Sequence, residues 1–523
     1  EATLPPKLES YRLLWMLLLP QKLTNPYNIM RSLSLLAGCA AALLSFANAE
    51  ANLSNPDVSK QMLSGTFEPP QVFQHTNLVR TVNLEKEYPR ETINVVVENI
   101  DSKPQQDYYL PFPQDLIARV GGLDVKDKNK PDAIFPSPEI VGIDTYSPIE
   151  YYRIKFPSPL APKEKITLSI TYSILSALNP LPASINQADK QYVQITLNAY
   201  TNSAYKTMKQ KTKLKMPTSD IPEYTVVGTN AEGQEDPVKQ GVTFTYGPYG
   251  EVPAGANQPV SLRYEFTKPL LHATLVERDI EVSHWGGNIA TEERYWLENR
   301  GATLKNQFSR VQWQQTQYFN PPTSALKELE YPLIIGSANP YFVDDIGNVS
   351  TSRFRPRNTP KEALLQLKPR YPLFGGWKYS FKVGWDNDLK NFLRKLKTGD
   401  GYVLKVPFLE GPKQPEGLEI EKLTVRIILP EGATNIKFES KIPIISSEVS
   451  THRTFMDTVG RSTLKLTALN VVDDFRGKDL VVTYDYPFLA GFRKPIVIFS
   501  SLMGTFGVAY LISRLDVSIG RKA

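Results

Sequence analysis

Cysteine and histidine are almost absent. The 523-residue chain holds one cysteine, Cys39, and four histidines, His75, His272, His284 and His452. A disulfide-stapled fold is thereby excluded. So is a His-Glu-x-x-His zinc hydrolase: the motif is missing, and so few nitrogen and sulfur ligands are poor material for a metal cage. The sequence has no phosphate-binding loop, dinucleotide fingerprint or nucleophile elbow. It has no long basic run either. The net charge of +6 is spread along the chain, which excludes the concentrated positive face of a nucleic-acid binder. No cofactor and no metal are expected.

Proline and tyrosine are plentiful, with 42 and 26 residues, in a chain that is 41% hydrophobic and 22% charged. This suits short strands and turn-rich loops better than long helices. Two apolar runs stand apart. In "MRSLSLLAGCAAALLSFANAE", residues 30–50, one arginine precedes an apolar stretch that ends in Ala47-Asn48-Ala49. That is the pattern of a secretory signal over residues 30–49, cleaved between Ala49 and Glu50. Residues 1–29 read as a non-native upstream leader. Near the other end, Pro495 to Ile512 are eighteen residues without a charge, with Arg493 and Lys494 before them and Arg514 after. Eighteen helical residues rise about 27 Å, close to the thickness of a hydrocarbon core. Residues 495–512 therefore read as a transmembrane helix and 513–523 as a cytosolic tail. Signal and span together make a single-pass type I protein with its bulk on the lumenal or outer side. Within the span, Ser500, Ser501, Gly504, Thr505 and Gly507 are small residues spaced to let a partner helix approach.

The part between these runs repeats itself. "INVVVENIDS" (Ile93–Ser102) resembles "ERYWLENRGA" (Glu293–Ala302), sharing the pairs Glu98-Asn99 and Glu298-Asn299. "YRIKFPSPLAPKEKITLSITY" resembles "LQLKPRYPLFGGWKYSFKVGW", matching at Pro159-Leu160 and Pro372-Leu373. "KLKMPTSDI" resembles "RIILPEGATNI" around Pro217 and Pro430, and "VSLRYEFTKPLL" resembles "LVVTYDYPFLA". The four matches keep their order, at offsets of 200, 213, 213 and 220 residues. This is the signature of two copies of one domain. The repeated pieces alternate apolar and polar residues, as Ile166, Leu168, Ile170 and Tyr172 do, and a period of two is a strand buried on one face. The expected fold is mainly β: two tandem homologous antiparallel β-sandwiches, residues 50–271 and 272–490, followed by the membrane helix.

Few residues carry candidate chemistry. "SHWGGNIATEERYWLENRG" (Ser283–Gly301) contains a histidine, a glycine pair and two adjacent glutamates. Its place in the repeat reads as strand, turn, strand, with Gly286-Gly287 in the turn. Glu292 and Glu293 then point to opposite faces of a strand, which is unsuited to a glycosidase carboxylate pair. Asn348 and Asn52 begin Asn-x-Ser triplets and are glycan acceptors in a lumenal chain. Asp344-Asp345 and Asp473-Asp474 read as solvated loop pairs. "DNDLKNFLRKLKTG" (Asp386–Gly399) departs from the β pattern. Leu389, Phe392, Leu393 and Leu396 fall at helical spacing, with Asp386 to Asp388 as caps and Gly399 as a stop. It is expected to be a helix that either covers the sandwich edge or contacts another subunit or the membrane surface.

These features together resemble the ribophorin I family, subunits of the eukaryotic oligosaccharyltransferase complex. "EVSHWGGNIATEE" is similar to the family's Ser-His-Trp-Gly-Asn-Ile signature, with one extra glycine. "DDIGNVSTSRF", "RYPLFGGWKYSFKVGW", "LTVRIILPEGATNI" and the post-span "RLDVSIGRKA" are similar to further family stretches, and the short tail resembles fungal members. The resemblance implies a single-pass protein of the endoplasmic reticulum membrane. It implies a non-catalytic subunit of the complex that transfers oligosaccharide from dolichyl diphosphate to asparagine. Its partners would be a catalytic multi-span subunit, other small membrane subunits, nascent polypeptides and membrane lipid, with no nucleic acid. The alternative is a stand-alone membrane-anchored β-sandwich adhesion protein or hydrolase.

Overall fold

The structure, a computed structural model, describes Leu63 and residues 65–515 apart from 131–132, 143–145, 232, 234, 320, 398 and 455–456. The leader, the signal with Ala49 and Glu50, Asn52 and most of the tail lie outside the described residues. All described residues belong to one compact unit.

Strands dominate, and the period-two pattern decides their faces. In β2 (Arg90–Asn99), Glu91, Ile93, Val95, Val97 and Asn99 are buried while their neighbours are not. Full burial of each apolar side chain contributes about 1.5–3 kcal/mol. This strand pairs antiparallel with β1 (Phe73–Asn83) on one side and with β3 (Lys165–Ile174) on the other. On its far edge β1 pairs in parallel with β4 (Gln210–Lys215), which pairs antiparallel with β5 (Thr243–Tyr249). The large sheet runs β5-β4-β1-β2-β3, with short strands Val238–Gln240 and Val120–Asp127 at its edges.

The second large sheet repeats this plan. It is built from β6 (Leu271–Ser283), β7 (Asn288–Asn299), β8 (Lys378–Asp388), β9 (Glu419–Glu431) and β10 (Arg461–Val472), in the order β10-β9-β6-β7-β8. The β6·β9 pair is again parallel. The registers coincide at the offsets seen in the sequence. Glu98 sits opposite Lys165 as Glu298 sits opposite Lys378, and Lys213 opposite Thr245 as Arg426 opposite Lys465. Even the bulge recurs. Thr76 and Thr274 are the skipped residues of β1 and β6, and each sends its hydroxyl to a carbonyl of the neighbouring strand. Smaller sheets pack on each large one, the three-stranded sheets joining 105–113 to 149–160 and 329–334 to 362–367. The expected sandwiches are thus antiparallel except for one parallel pair in each.

The shared Glu-Asn and Pro-Leu pairs have one cause. The Asn99 amide donates to the Leu160 carbonyl at 2.8 Å, and the Asn299 amide to the Leu373 carbonyl at 2.9 Å. Both asparagines are fully buried, so the bonds are made away from competing water and their loss would leave backbone groups unpaired. The loop after each leucine then turns through a left-handed residue, Lys163 in one copy and Gly376 in the other, with φ of 63° and 80°.

The helix expected at Asp386–Gly399 is not formed. Asp386 and Asp388 complete β8, opposite Ala290 and Asn288. A single tight turn, Leu389–Asn391, follows, and Leu393–Lys395 pairs as a short strand with Gly401–Pro407. Leu389 and Phe392 are buried in the core of this copy, Leu393 is half-buried, and only Leu396 is exposed. The neighbouring strand supplies backbone partners and a core that local helical spacing cannot match, so tertiary pairing overrides propensity.

The C-terminal helix runs Arg493–Arg514. The apolar stretch Phe488–Arg514 contains an 18-residue window with a mean hydropathy of 1.9, and none of that window is buried against the rest of the chain. It is long and apolar enough to cross a membrane, which fits a single-pass membrane protein.

Candidate functional site

The Ser283–Gly301 stretch forms the end of β6, a turn, and β7. Its two glycines have different reasons. A Cβ on Gly286 would lie 2.6 Å from Asn288 Oδ1 and 3.0 Å from Ser283 Oγ, the hydroxyl that accepts the Gly286 N–H. Gly287 has φ of 66°, a left-handed conformation that costs other residues about 1–2 kcal/mol. Between them and the strand, His284 sits among tyrosines. Its Nε2 is 2.7 Å from the Tyr484 hydroxyl, and its ring centroid is 4.8 Å from that of Tyr402 and 4.5 Å from that of Tyr486. Burial pushes its pKa down to about 4, so the imidazole is neutral at pH 7. Trp285, next in sequence, is 74% exposed.

The adjacent glutamates separate as a strand requires. Glu293 faces inward, fully buried, and is held by Arg278, which also bonds Glu410, and by the Tyr295 hydroxyl at 2.8 Å. Glu292 faces outward and accepts the Tyr341 hydroxyl. The first copy places an arginine at the equivalent rung of β1. Arg80 makes a two-pronged pair with Glu91 at 2.8 and 2.6 Å, and the Tyr172 hydroxyl joins it at 2.7 Å. The arginine is shared at an offset of 198 residues, while its carboxylate comes from a different rung. That repeated arginine was a usable sequence signal.

Sequence reasoning missed the junction between the copies. The β1–β2 turn inserts there. The Glu87 carboxylate accepts the backbone N–H of Leu271 and, at 2.8 Å, that of Glu419. Burial, and then the Glu419 charge, hold the Glu87 carboxyl well above its usual pKa. Glu419 in turn accepts the Ser176 N–H at 2.9 Å and lies 3.1 Å from His272 Nδ1. Beside it, Lys86 bridges Asp473 and Asp474 at 2.7 and 2.8 Å, and Tyr88 donates to Asp473 at 2.5 Å. The expectation of solvated aspartates is corrected for the first member of each pair: Asp473 is buried against the other copy, and Asp344 is buried against Arg370 and the N–H groups of Ile346 and Gly347, while Asp345 is exposed and Asp474 half-buried. The charged partner of Asp344 lies 26 residues on, and those of Asp473 almost four hundred residues back, so local spacing could not reveal them.

Asn348 is exposed on a short hairpin strand, with its backbone tied to Val343. In the C-terminal helix, the hydroxyls of Ser500, Ser501 and Thr505 bond back to carbonyls four residues earlier, at 2.7, 2.8 and 2.9 Å. Nothing lies within 4 Å of a Cβ built on Gly504 or Gly507. That face is apolar in effect and open.

A family model described as ribophorin I matches residues 73–513, spanning both sheets and the helix. The chain belongs to the ribophorin I family. It is 29% identical over 456 residues to dolichyl-diphosphooligosaccharide–protein glycosyltransferase subunit 1 of Schizosaccharomyces pombe, covering 86% of this chain and 97% of that one. The subunit 1 of Caenorhabditis elegans is 29% identical, covering 87% and 75%, and subunit 1B of Oryza sativa is 30% identical, covering 71% and 75%. Among solved structures, 40% of this chain resembles 42% of an M1 zinc metallopeptidase from Deinococcus radiodurans at 12% identity and a TM-score of 0.25, too low to carry a function across.

Proposed function

We propose that this chain is a non-catalytic accessory subunit of an oligosaccharyltransferase complex, the assembly that transfers oligosaccharide from dolichyl diphosphate to asparagine of Asn-x-Ser/Thr in nascent proteins. The family match over residues 73–513 carries this reading, with a relative of almost the same extent named subunit 1 of that transferase. In this reading the chain stabilises the complex and presents acceptor polypeptides beside a reaction centre supplied by a multi-span partner. The surroundings of the candidate residues support it. His284 is packed in tyrosines, Glu293 is bound up with Arg278, and Glu292 lies on the opposite strand face. A hydrolase of the two-carboxylate kind would need two groups flanking one scissile bond.

The proposed layout is two lumenal copies, 50–271 and 272–490, then a span over 495–512 in the endoplasmic reticulum membrane with a short cytosolic tail. Asn348 is the proposed glycan acceptor on the exposed hairpin, with Asn52 as a second. Ser500, Ser501, Gly504, Thr505 and Gly507 form the proposed face for small membrane partners. Of the segment 389–396, Leu396 and part of Leu393 are left to meet another subunit or the membrane surface, because Leu389 and Phe392 are in the core. Purification in mild detergent, followed by identification of co-eluting chains, tests the assignment. His284→Ala is expected to leave substrate glycosylation near normal. A large loss of transfer with intact assembly would overturn the non-catalytic reading.

A further inference from the structure

Three segments meet at the foot of the C-terminal helix. The β6–β7 turn is tied to the next by a hydrogen bond from Leu389 N–H to the Gly287 carbonyl at 3.0 Å. The segment 389–400 is tied to the chain entering the helix by Tyr486 N–H to the Asp400 carbonyl at 2.9 Å. Trp285 and Tyr486 also line one shallow cavity together with Gly491 and Arg493. On the surface these segments share, the large apolar side chains point outward. Trp285, Phe488 and Leu489 are each about three-quarters exposed (74, 75 and 77%), and Leu396 is 48% exposed. An apolar patch of this kind on a protein surface marks a contact.

The helix says what the contact is. Its first residues, Arg493 and Lys494, are the last charges before the uncharged run, so they lie at the headgroup level of whatever bilayer the helix crosses. Side chains beside them lie at that level too. Tryptophan and phenylalanine bury their rings favourably there, because the layer is apolar on one side and wet on the other. The charge pattern agrees. From Leu389 to Lys397 the chain carries Lys390, Arg394, Lys395 and Lys397 and no acidic residue, and all four are exposed. Such a segment is attracted to an anionic surface. The bond from Leu389 N–H to the Gly287 carbonyl and the packing of His284 among tyrosines hold the turn that carries Trp285.

We infer that the Trp285 turn, the Leu396 loop and Phe488–Phe492 form one membrane-facing rim that sits in the phospholipid headgroup layer and holds the lumenal body against the bilayer. The occupant is lipid, not a protein subunit. This rests on the reading that Arg493–Arg514 crosses the membrane, and the test separates the two. Single cysteines are placed at Trp285, Leu396, Phe506 and Lys378 in a Cys39→Ser background. The chain is purified with its native partners, spin-labelled and returned to lipid nanodiscs. Collision with oxygen, which concentrates in lipid, is compared with collision with a water-soluble nickel chelate. Lys378 lies at the opposite end of β8 from Asp388, and its label is expected to favour nickel. Labels at 285 and 396 should favour oxygen, and the label at 506 should do so most. Overturning results are labels at 285 and 396 that meet nickel as readily as 378 does, or that meet neither probe because protein covers them. A label at 506 that favours nickel would overturn the span, and the rim with it.

Discussion

Replacing Asn299 with alanine strands three backbone groups in the interior, while a fourth, the Leu373 carbonyl, keeps the Leu326 N–H at 3.0 Å. Its Oδ1 accepts the N–H of Leu270 at 3.1 Å and of Gly301 at 2.9 Å, and its Nδ2 donates to the carbonyls of Ser324 at 2.8 Å and Leu373 at 2.9 Å. Asn299 is 1% exposed, so water does not readily replace these bonds. Each buried group left unpaired costs about 1–3 kcal/mol, and three of them give about 3 kcal/mol at the lower bound. The equivalent Asn99 satisfies three groups, the N–H of Asp101 and the carbonyls of Lys103 and Leu160, of which only the bond to Leu160 is buried, and about 1–3 kcal/mol is expected for its loss. For domains near 200 residues, 1 kcal/mol moves the melting midpoint by about 2–4 °C, so Asn299→Ala should lower it by roughly 6–12 °C. The assay can assign the loss. All five described tryptophans, 285, 296, 313, 377 and 385, lie in the second copy, so their emission reports the unfolding of that copy. The full chain is melted in mild detergent. Asn299→Ala should shift the tryptophan transition strongly. Asn99→Ala should shift it too, because the junction ties the copies together. An Asn299→Ala midpoint within about 2 °C of the parent, a loss of about 1 kcal/mol or less, would refute the claim that this side chain organises the repeated loop.

Three further outcomes are expected. Glu87→Gln should flatten the fall of stability between pH 4 and 8, and should cost about 1–3 kcal/mol near pH 4, because its amide nitrogen cannot accept one of the two N–H groups that the carboxylate oxygens accept. A carboxyl whose pKa is raised in the folded state binds more protons there than when unfolded, so its contribution is full below the unfolded value and is lost as pH rises towards the folded one. Glu416, pushed up to about 7 by burial, adds to the same slope between about pH 4.5 and 7. Denaturant midpoints measured across that range should fall less steeply in Glu87→Gln than in the parent. Lys163→Gly should stabilise by up to about 1 kcal/mol and Gly376→Ala should destabilise by at least that much, because both positions are left-handed and a Cβ at Gly376 would meet Thr303 Cγ2 at 3.0 Å. Thermal melts of the two variants moving in the same direction would contradict the equivalence of the loops. Gly504→Arg puts a charge near mid-span, at about 2.5–3.5 kcal/mol against insertion, and should release the chain from its membrane partners. Recovery of the whole complex with this variant would defeat the helix-packing reading.

Much of the fold was legible because it is written twice. Offsets of 200, 213 and 220 residues separate motifs whose strand registers the structure superposes rung for rung. Local patterns failed where a distant partner decided the outcome. Leu389, Phe392, Leu393 and Leu396 have helical spacing, yet Gly401–Pro407 claims their backbone and the core claims two of the side chains. Asp473 looked solvated because Lys86 and Tyr88, which bind it, lie almost four hundred residues earlier. The junction carboxylates, Glu87 and Glu419, carry no local pattern at all. Their meaning comes from two turns that only the folded chain brings together.

The duplication also explains why the two β-hairpin turns differ so much. The β1–β2 turn and the β6–β7 turn occupy the same place in the repeat, since Asn83 opposite Arg90 corresponds to Glu281 opposite Ala290. In the first copy the turn carries Lys86, Glu87 and Tyr88, and each of them binds the second copy through a charged or backbone partner. After the second copy the chain runs into the apolar helix. The second copy's turn carries Trp285, exposed, beside Phe488 and Leu489. A polar turn suits a protein surface that offers N–H groups and carboxylates; an aromatic turn suits a headgroup layer that offers neither in fixed positions. The same structural element thus grips whatever comes next along the chain, first protein and then membrane. That is why the histidine, tryptophan and glycines of the second turn belong to anchoring geometry and have no counterparts in the first.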